Sequence, residues 1–359
     1  MYKDLIHLEY VVRSGALHTL PDHVIYYYIK PWLEPPVNHL WELLKRNPDK
    51  PWNWRWLSAN PNITWEIVQN NPDKPWCWCW LSRNPNITWE IVQNNPDTDR
   101  GPHDRWSWQE LSRNPNITWE IVQNNPNSDR GSDRKWDCWC WYYLSKNPSV
   151  ATWEIVQNNP DSSRELKDRW NWEQLSANPS VATWEIVQNN PDKPWNWWGL
   201  SINPNITWEF VQNNLYTDRG LKNRWSWIGL SSNPSVATWE IVQNNLDTDQ
   251  SHDRWVWGGL SCNPNITWEI VQNNPDSDRG PDKEWNWFNL SSNPSVATWE
   301  IVQNNLDKPW YWDRLSTNPN ITWEIVQNND RRHGARWDWG KLSLNTFNSC
   351  HFRKYKNNF

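Results

Sequence analysis

A chain of 359 residues with a net charge of −6, its acidic and basic residues interspersed, has no bulk attraction for a phosphate backbone. Its mean hydropathy is −0.98 and no run approaches the roughly 18 apolar residues of a membrane span, so neither a nucleic-acid nor a membrane partner is expected. Six cysteines in a chain this long do not look like a disulfide framework, and the first twenty residues make a poor secretory signal, so a soluble intracellular protein is expected.

Residues 1–36 are non-repetitive. Leu20-Pro21-Asp22 followed by VIYYYIKPWL predicts one apolar helix, stopped near Pro35-Pro36, in an N-terminal helical cap. From residue 37 to 345 the chain repeats itself. Thr-Trp-Glu occurs ten times, with Trp at 65, 89, 119, 153, 184, 208, 239, 268, 299 and 323. Trp-x-Trp-x-x-Leu-Ser occurs eleven times, from Trp52–Ser58 to Trp337–Ser343, and the two phrases hold nearly all of the 38 tryptophans. The stretch Leu40-Trp41-Glu42-Leu43-Leu44 precedes Asn47 to Trp52 as Thr64 to Val68 precedes Asn71 to Trp76, so the array opens on an atypical unit. Self-similarity at this period means a stack of supersecondary units, with terminal units adapted to an unshared face.

Each unit divides into two segments punctuated by Asn-Pro. The first runs from Asp-Lys-Pro-Trp through WNWRWLS to Asn60; Pro and acidic residues ahead of it suit a helix start, and the residue before Pro61 is pushed out of the α region. The second, NITWEIVQNN, has Asn62 or Thr64 to cap it and Glu66 in its first turn, where the helix dipole favours an anion. Four units read NPSVAT for NPNIT, an extra residue that must sit in the turn (Ser149–Thr152, Ser180–Thr183, Ser235–Thr238, Ser295–Thr298). The expected fold is an all-α solenoid of short two-helix repeats, about eleven units, each helix roughly two turns long and too short to stand alone. The link to the next unit is four residues in PDKP and LDKP and nine to thirteen in six others. The insertions fall at one phase of the repeat and so emerge along one edge. Residues 346–359 form a basic C-terminal cap or tail.

A residue fixed in every unit is explained by stacking or capping before binding. The glutamates of Thr-Trp-Glu read as first-turn carboxylates rather than a cation-binding ladder, and the Asn-Pro asparagines as turn and cap chemistry. The Asn-Ile-Thr sequons, without a signal peptide, read as unmodified caps. Cys77-Trp-Cys79 and Cys138-Trp-Cys140 point their thiols apart on a helix, with no zinc spacing nearby. No Ser/His/Asp order, phosphate loop or paired-carboxylate motif stands out, so no catalytic residue, metal or cofactor is assigned and an enzyme is not expected.

The positions that vary between units are the better recognition candidates. They are the pair after Trp-x-Trp (Arg55, Gln109, Glu110, Glu173, Gln174, Asp313 and Arg314), the residue between Ser and Asn (Arg83, Arg113 and Lys146), and arginines of the long links (Arg100, Arg130, Arg164, Arg219 and Arg279). Their chemistry changes from unit to unit, which suits one extended protein partner better than a periodic polymer.

Taken together, LSxNPNITWEIVQNNPDKPWNW over residues 37 to 345 resembles a Trp-rich repeat family encoded in many copies by giant DNA viruses. The exit at Leu342-Ser343-Leu344-Asn345-Thr346-Phe347 is similar to the way such arrays close. The resemblance implies the fold, a viral origin, a setting in the host cytoplasm or the virion, and a non-enzymatic scaffold for protein–protein interaction; it supplies no site residue. Leu20-Pro21-Asp22-His23-Val24-Ile25, running on to Leu33, resembles the opening of an F-box, which implies a ubiquitin-ligase partner and a substrate-adaptor role. A structural or virion-associated protein contacting copies of itself is the other alternative.

Overall fold

The computed structural model describes residues 38–95, 106–125, 139–159, 170–214, 225–245, 255–275, 284–329 and 336–347. The expected N-terminal cap with its F-box-like segment, the long links and the basic tail lie outside the described residues.

The described residues form short helices and turns, with no strand among them. Two rows of helices alternate along the chain. A helices start at the second Trp of Trp-x-Trp, from Trp54–Ala59 to Trp339–Leu342; B helices start at the Trp of Thr-Trp-Glu, from Trp65–Asn70 to Trp323–Asn329. One further B helix, His39–Arg46, precedes them all. Both kinds are shorter than the two turns expected for most of their number: A helices have four to six residues and most B helices six.

The reason lies at their starts. The first Trp of each phrase, expected inside the A helix, stands outside it: Trp52 is buried ahead of an extended Asn53, whose side chain accepts from the Trp56 N–H as N-cap. Pro51 is therefore not the first helical residue. In the B helices the cap is Thr64 rather than Asn62, its hydroxyl accepting from the Ile67 N–H at 3.3 Å. Asn71 closes the other end by donating its side-chain amide to the Ile67 carbonyl at 2.8 Å. The Trp52 indole N–H donates to the Asn47 carbonyl across a four-residue link, and Trp139 does the same to Asn125 across a link of thirteen. Where this bond forms, the insertions leave and rejoin the array at the same two points.

Neighbouring units are joined by a seam that repeats with little change. The Ser58 hydroxyl donates to the Trp54 carbonyl of its own helix at 2.7 Å and accepts the Cys77 backbone N–H of the next unit at 2.9 Å. Asn84, fully buried, donates its side-chain amide to the carbonyls of Ser58, Asn60 and Ile63 in the preceding unit, while its own oxygen accepts the Asn86 N–H. The second Trp of one A helix meets the first Trp of the next edge to face, as in Trp54–Trp76 at 5.1 Å and 81°. A Trp from a B helix packs on the same ring from a third unit, as Trp65 does on Trp106. Backbone groups that short helices leave unpaired are thus satisfied by the next unit, while leucines such as Leu57 fill the space between.

The same seam joins the last unit to the first. The Asn53 N–H donates to the Ser343 hydroxyl at 3.0 Å, 290 residues away in sequence. The Asn60 amide donates to the carbonyls of Ser343 and Asn345, and Trp52 meets Trp339 edge to face at 5.2 Å and 80°. The serine, asparagine and edge-to-face Trp contacts of the regular seam are reproduced, so the solenoid is a closed ring. The helix His39–Arg46 is the B helix of the eleventh unit, whose A helix is Trp339–Leu342, and the first and last elements of the array together complete that unit. Here His39 stacks on Trp323 at 5.4 Å and Arg46 lies over the same indole at 5.5 Å, replacing the usual Trp–Trp contact. Closure removes the two unshared faces for which the sequence predicted terminal adaptations.

Most A helices pack directly on the next A helix, whereas B helices other than Trp323–Asn329 and His39–Arg46 have little mutual contact. In a closed ring the row with the shorter spacing has the smaller circumference, so the A helices form the inner row. Eleven helices at about 8–10 Å spacing set their axes on a circle of about 14–18 Å radius. Allowing ~5 Å for each helix leaves a bore on the order of 20 Å across before side chains project into it.

Candidate partner-binding face

An A helix of six residues buries Leu and Ser in the seam and turns its second Trp toward the next unit. What remains is one face, made by the residue after that Trp and the residue four positions on, which share a side of the helix. In chain order from the eleventh unit this inner face reads Gly340 and Leu344, Arg55 and Ala59, Cys79 and Arg83, Gln109 and Arg113, Tyr142 and Lys146. It continues as Glu173 and Ala177, Trp198 and Ile202, Ile228 and Ser232, Gly258 and Cys262, Phe288 and Ser292, Asp313 and Thr317. Arg55, Arg83, Arg113, Lys146, Gln109, Glu173 and Asp313, expected from sequence variation alone, fall on this one surface. Glu110 and Arg314 stand one position further round, at the edge of the seam.

Gln174 is different: it is 5 % exposed and turned into the seam, which takes it off the face. At the equivalent position Gly199, Gly229 and Gly259 let the helices approach most closely. A Cβ on Gly199 would lie 2.6 Å from the Glu173 carbonyl oxygen and one on Gly259 2.9 Å from the Ile228 carbonyl oxygen. Arg100, Arg130, Arg164, Arg219 and Arg279 lie outside the described residues.

The face has two unlike arcs. From the first unit to the fourth it is cationic, with aromatic side chains beside it at the seam edge. Lys341 lies over Trp56 at 4.6 Å, Arg83 over Trp80 at 3.9 Å and Arg113 over Tyr143 at 3.8 Å. Glu110 stands between Arg83 and Arg113 at 3.8 and 3.4 Å, one carboxylate to two guanidiniums. Burial works against the charge on Arg83 and lowers its pKa, with Glu110 opposing that shift. Across the ring, in the sixth to eighth units, the face is apolar: Trp198 is 45 % and Ile228 56 % exposed, with Ile202 between them and the glycines behind. Burial pushes the Cys79 and Cys262 thiols above the usual range.

The outer row carries the opposite charge. Glu66 and its counterparts in the ten Thr-Trp-Glu helices are exposed first-turn carboxylates, matching the reading as helix-dipole partners. No group of three or more His, Cys, Asp or Glu able to hold a metal ion occurs among the described residues. The sequon asparagines reach the preceding unit instead, Asn86 donating to the Pro61 carbonyl at 2.6 Å.

Sequence reasoning missed the serine of Leu-Ser. Its invariance in eleven phrases was visible, but nothing local indicated that its hydroxyl receives the next unit's N–H. No protein-family model matches the chain, and neither a curated protein nor a solved structure matches it.

Proposed function

We propose that the protein is a non-enzymatic scaffold that holds a protein partner on the inner face of its ring. One observation carries the reading. The positions that repeat are absorbed by the seams, whereas most of the varying positions among the described residues fall on a single surface. A surface that differs unit by unit is suited to one particular partner, because each unit meets a different part of it. Closure also leaves the array no free end on which a second copy could stack, which favours a binding role over a self-packing one. The resemblance of the repeat phrase to giant-virus arrays accords with action inside a host cell.

The test is cross-linking capture from host cells with three proteins. They are the unchanged chain, an inner-face variant (Arg113→Glu, Trp198→Ala, Ile228→Ala) and an outer-row variant (Glu66→Gln, Glu90→Gln, Glu120→Gln). A partner captured by the first and third and lost from the second is expected. Capture that depends on the outer row, or is indifferent to both sets of changes, overturns the reading.

A further inference from the structure

We infer that Arg55, Arg83 and Arg113, on the inner face of the first three units, form a binding site for a phosphomonoester. The group it takes is a phosphorylated side chain of the protein partner, an assignment that rests on the proposed scaffold reading and adds the partner's chemistry.

The three guanidiniums belong to one cluster. Arg83 and Arg113 approach the same oxygen of Glu110, Nη1 to Oε2 at 3.8 and 3.4 Å, so they converge on one point from neighbouring units. Arg55 and Arg83 share the Trp80 ring, their Cζ atoms 5.7 and 3.9 Å from its centroid, and Arg113 lies over Tyr143 at 3.8 Å. Burial raises the Cys79 thiol, which also senses the charges of Glu110 and Arg55. It is therefore protonated near neutral pH and adds no charge to the cluster.

The donors are placed but not used. Charge-assisted bonds from arginine to a carboxylate run at about 2.7–2.9 Å, and neither approach to Glu110 is that short. Arg55 makes no ion pair among the described residues. A guanidinium lying on a ring keeps its edge N–H groups available for a second ligand. The side chains of Arg83 and Arg113 are 27 % and 39 % exposed against 15 % for Glu110, so a ligand reaches the forks before the carboxylate.

Charge selects the ligand. Three guanidiniums and one carboxylate leave a formal excess of two positive charges. A phosphomonoester carries about −1.5 to −2 near pH 7 on three acceptor oxygens, enough to match that excess and to engage more than one fork. A carboxylate of the partner would leave a positive charge unmatched and offers only two oxygens. Nucleic acid fits less well, because a chain of net charge −6 repels the many phosphates it brings beyond this cluster.

The probe is the peptide Gly-Gly-phosphoserine-Gly-Gly, titrated with the full chain and followed by its phosphorus-31 signal. Inorganic phosphate, an oligouridylate with a 5′-phosphate, and Gly-Gly-Asp-Gly-Gly as competitor are run beside it. A saturable shift of the phosphopeptide is expected, tighter than either other phosphate and not displaced by an equal concentration of the Asp peptide. Arg55→Gln, and Arg83→Gln with Arg113→Gln, should each weaken binding about tenfold, with near-ultraviolet circular dichroism unchanged. Glu110→Gln removes the opposing charge and should tighten it about fivefold, a gain that a merely structural Arg–Glu–Arg tie does not give. Should the double variant unfold, Arg55→Gln carries the test, since Arg55 takes no part in that tie. Glu66→Gln on the outer row should change nothing. Equal binding of inorganic phosphate overturns the partner's side chain as the source, and tighter binding of the oligouridylate overturns it in favour of a nucleic-acid end. Displacement by the Asp peptide overturns the selectivity for phosphate, and no shift overturns the site. If the probe fails while capture from host cells still depends on the inner face, the site is wrong and the scaffold reading stands. If capture is indifferent to the inner face, the scaffold reading fails whatever the probe does.

Discussion

The seams and the inner face are built from the same six-residue helices, yet they obey opposite rules. At the seam Ser58, Asn84 and Trp54 have equivalents in every unit, and each is tied to its neighbour by bonds of nearly constant length. On the face, Arg55 gives way to Cys79, Gln109, Tyr142, Glu173, Trp198, Ile228 and Gly258 within eight units. A buried polar group with several partners tolerates no exchange, because each lost partner leaves a desolvated donor or acceptor behind. An exposed position beside it carries no such penalty. The seam therefore holds the ring while the face is free to differ.

The largest expected effect comes from breaking the one seam that lacks chain continuity. Trp339→Ala together with Asn60→Ala removes the edge-to-face contact with Trp52 and the bonds to Ser343 and Asn345. Trp deletion alone costs about 3–5 kcal/mol. Here that loss should open the ring, seen as a larger radius of gyration in solution scattering with helix content retained. The equivalent Trp54→Ala, Asn84→Ala pair should lower the urea midpoint by a comparable amount without opening the closing seam. Identical scattering from the two variants would mean that closure adds nothing to shape.

A smaller effect separates two glycines of different setting. Gly199→Ala drives a Cβ to 2.6 Å from a backbone oxygen and should cost about 1–3 kcal/mol. Gly258→Ala meets nothing within 4 Å and lies on the free face, so it should stabilise by about 0.5–1 kcal/mol through helix propensity. Chemical denaturation decides it, and equal signs would refute the division between seam and face.

The smallest concerns helix caps. Val256 stands where Asn53 and Asn171 cap their A helices and makes no side-chain bond there. Val256→Asn should add about 1 kcal/mol, measured as a shift in the thermal midpoint.

The repeat, the two helices per unit, the Thr cap and the single edge for the links follow from local rules: spacing, capping preference and the ban on α conformation before Pro. Trp52 was misplaced into the A helix because its indole is buried across the link, against the Asn47 carbonyl, which no window along the chain reveals. The candidate face was legible as variation, since Arg55, Arg83 and Arg113 differ from their counterparts, but the burial of Gln174 depends on a neighbouring helix. Ring closure was beyond any local rule. The sequence by itself determined the unit and its number. Whether eleven copies sum to a full turn depends on a small rotation per seam, which changes with how closely neighbouring helices approach, as at Gly199 and Gly259. Only the tertiary structure, in which Asn53 finds Ser343, decided that the array meets itself.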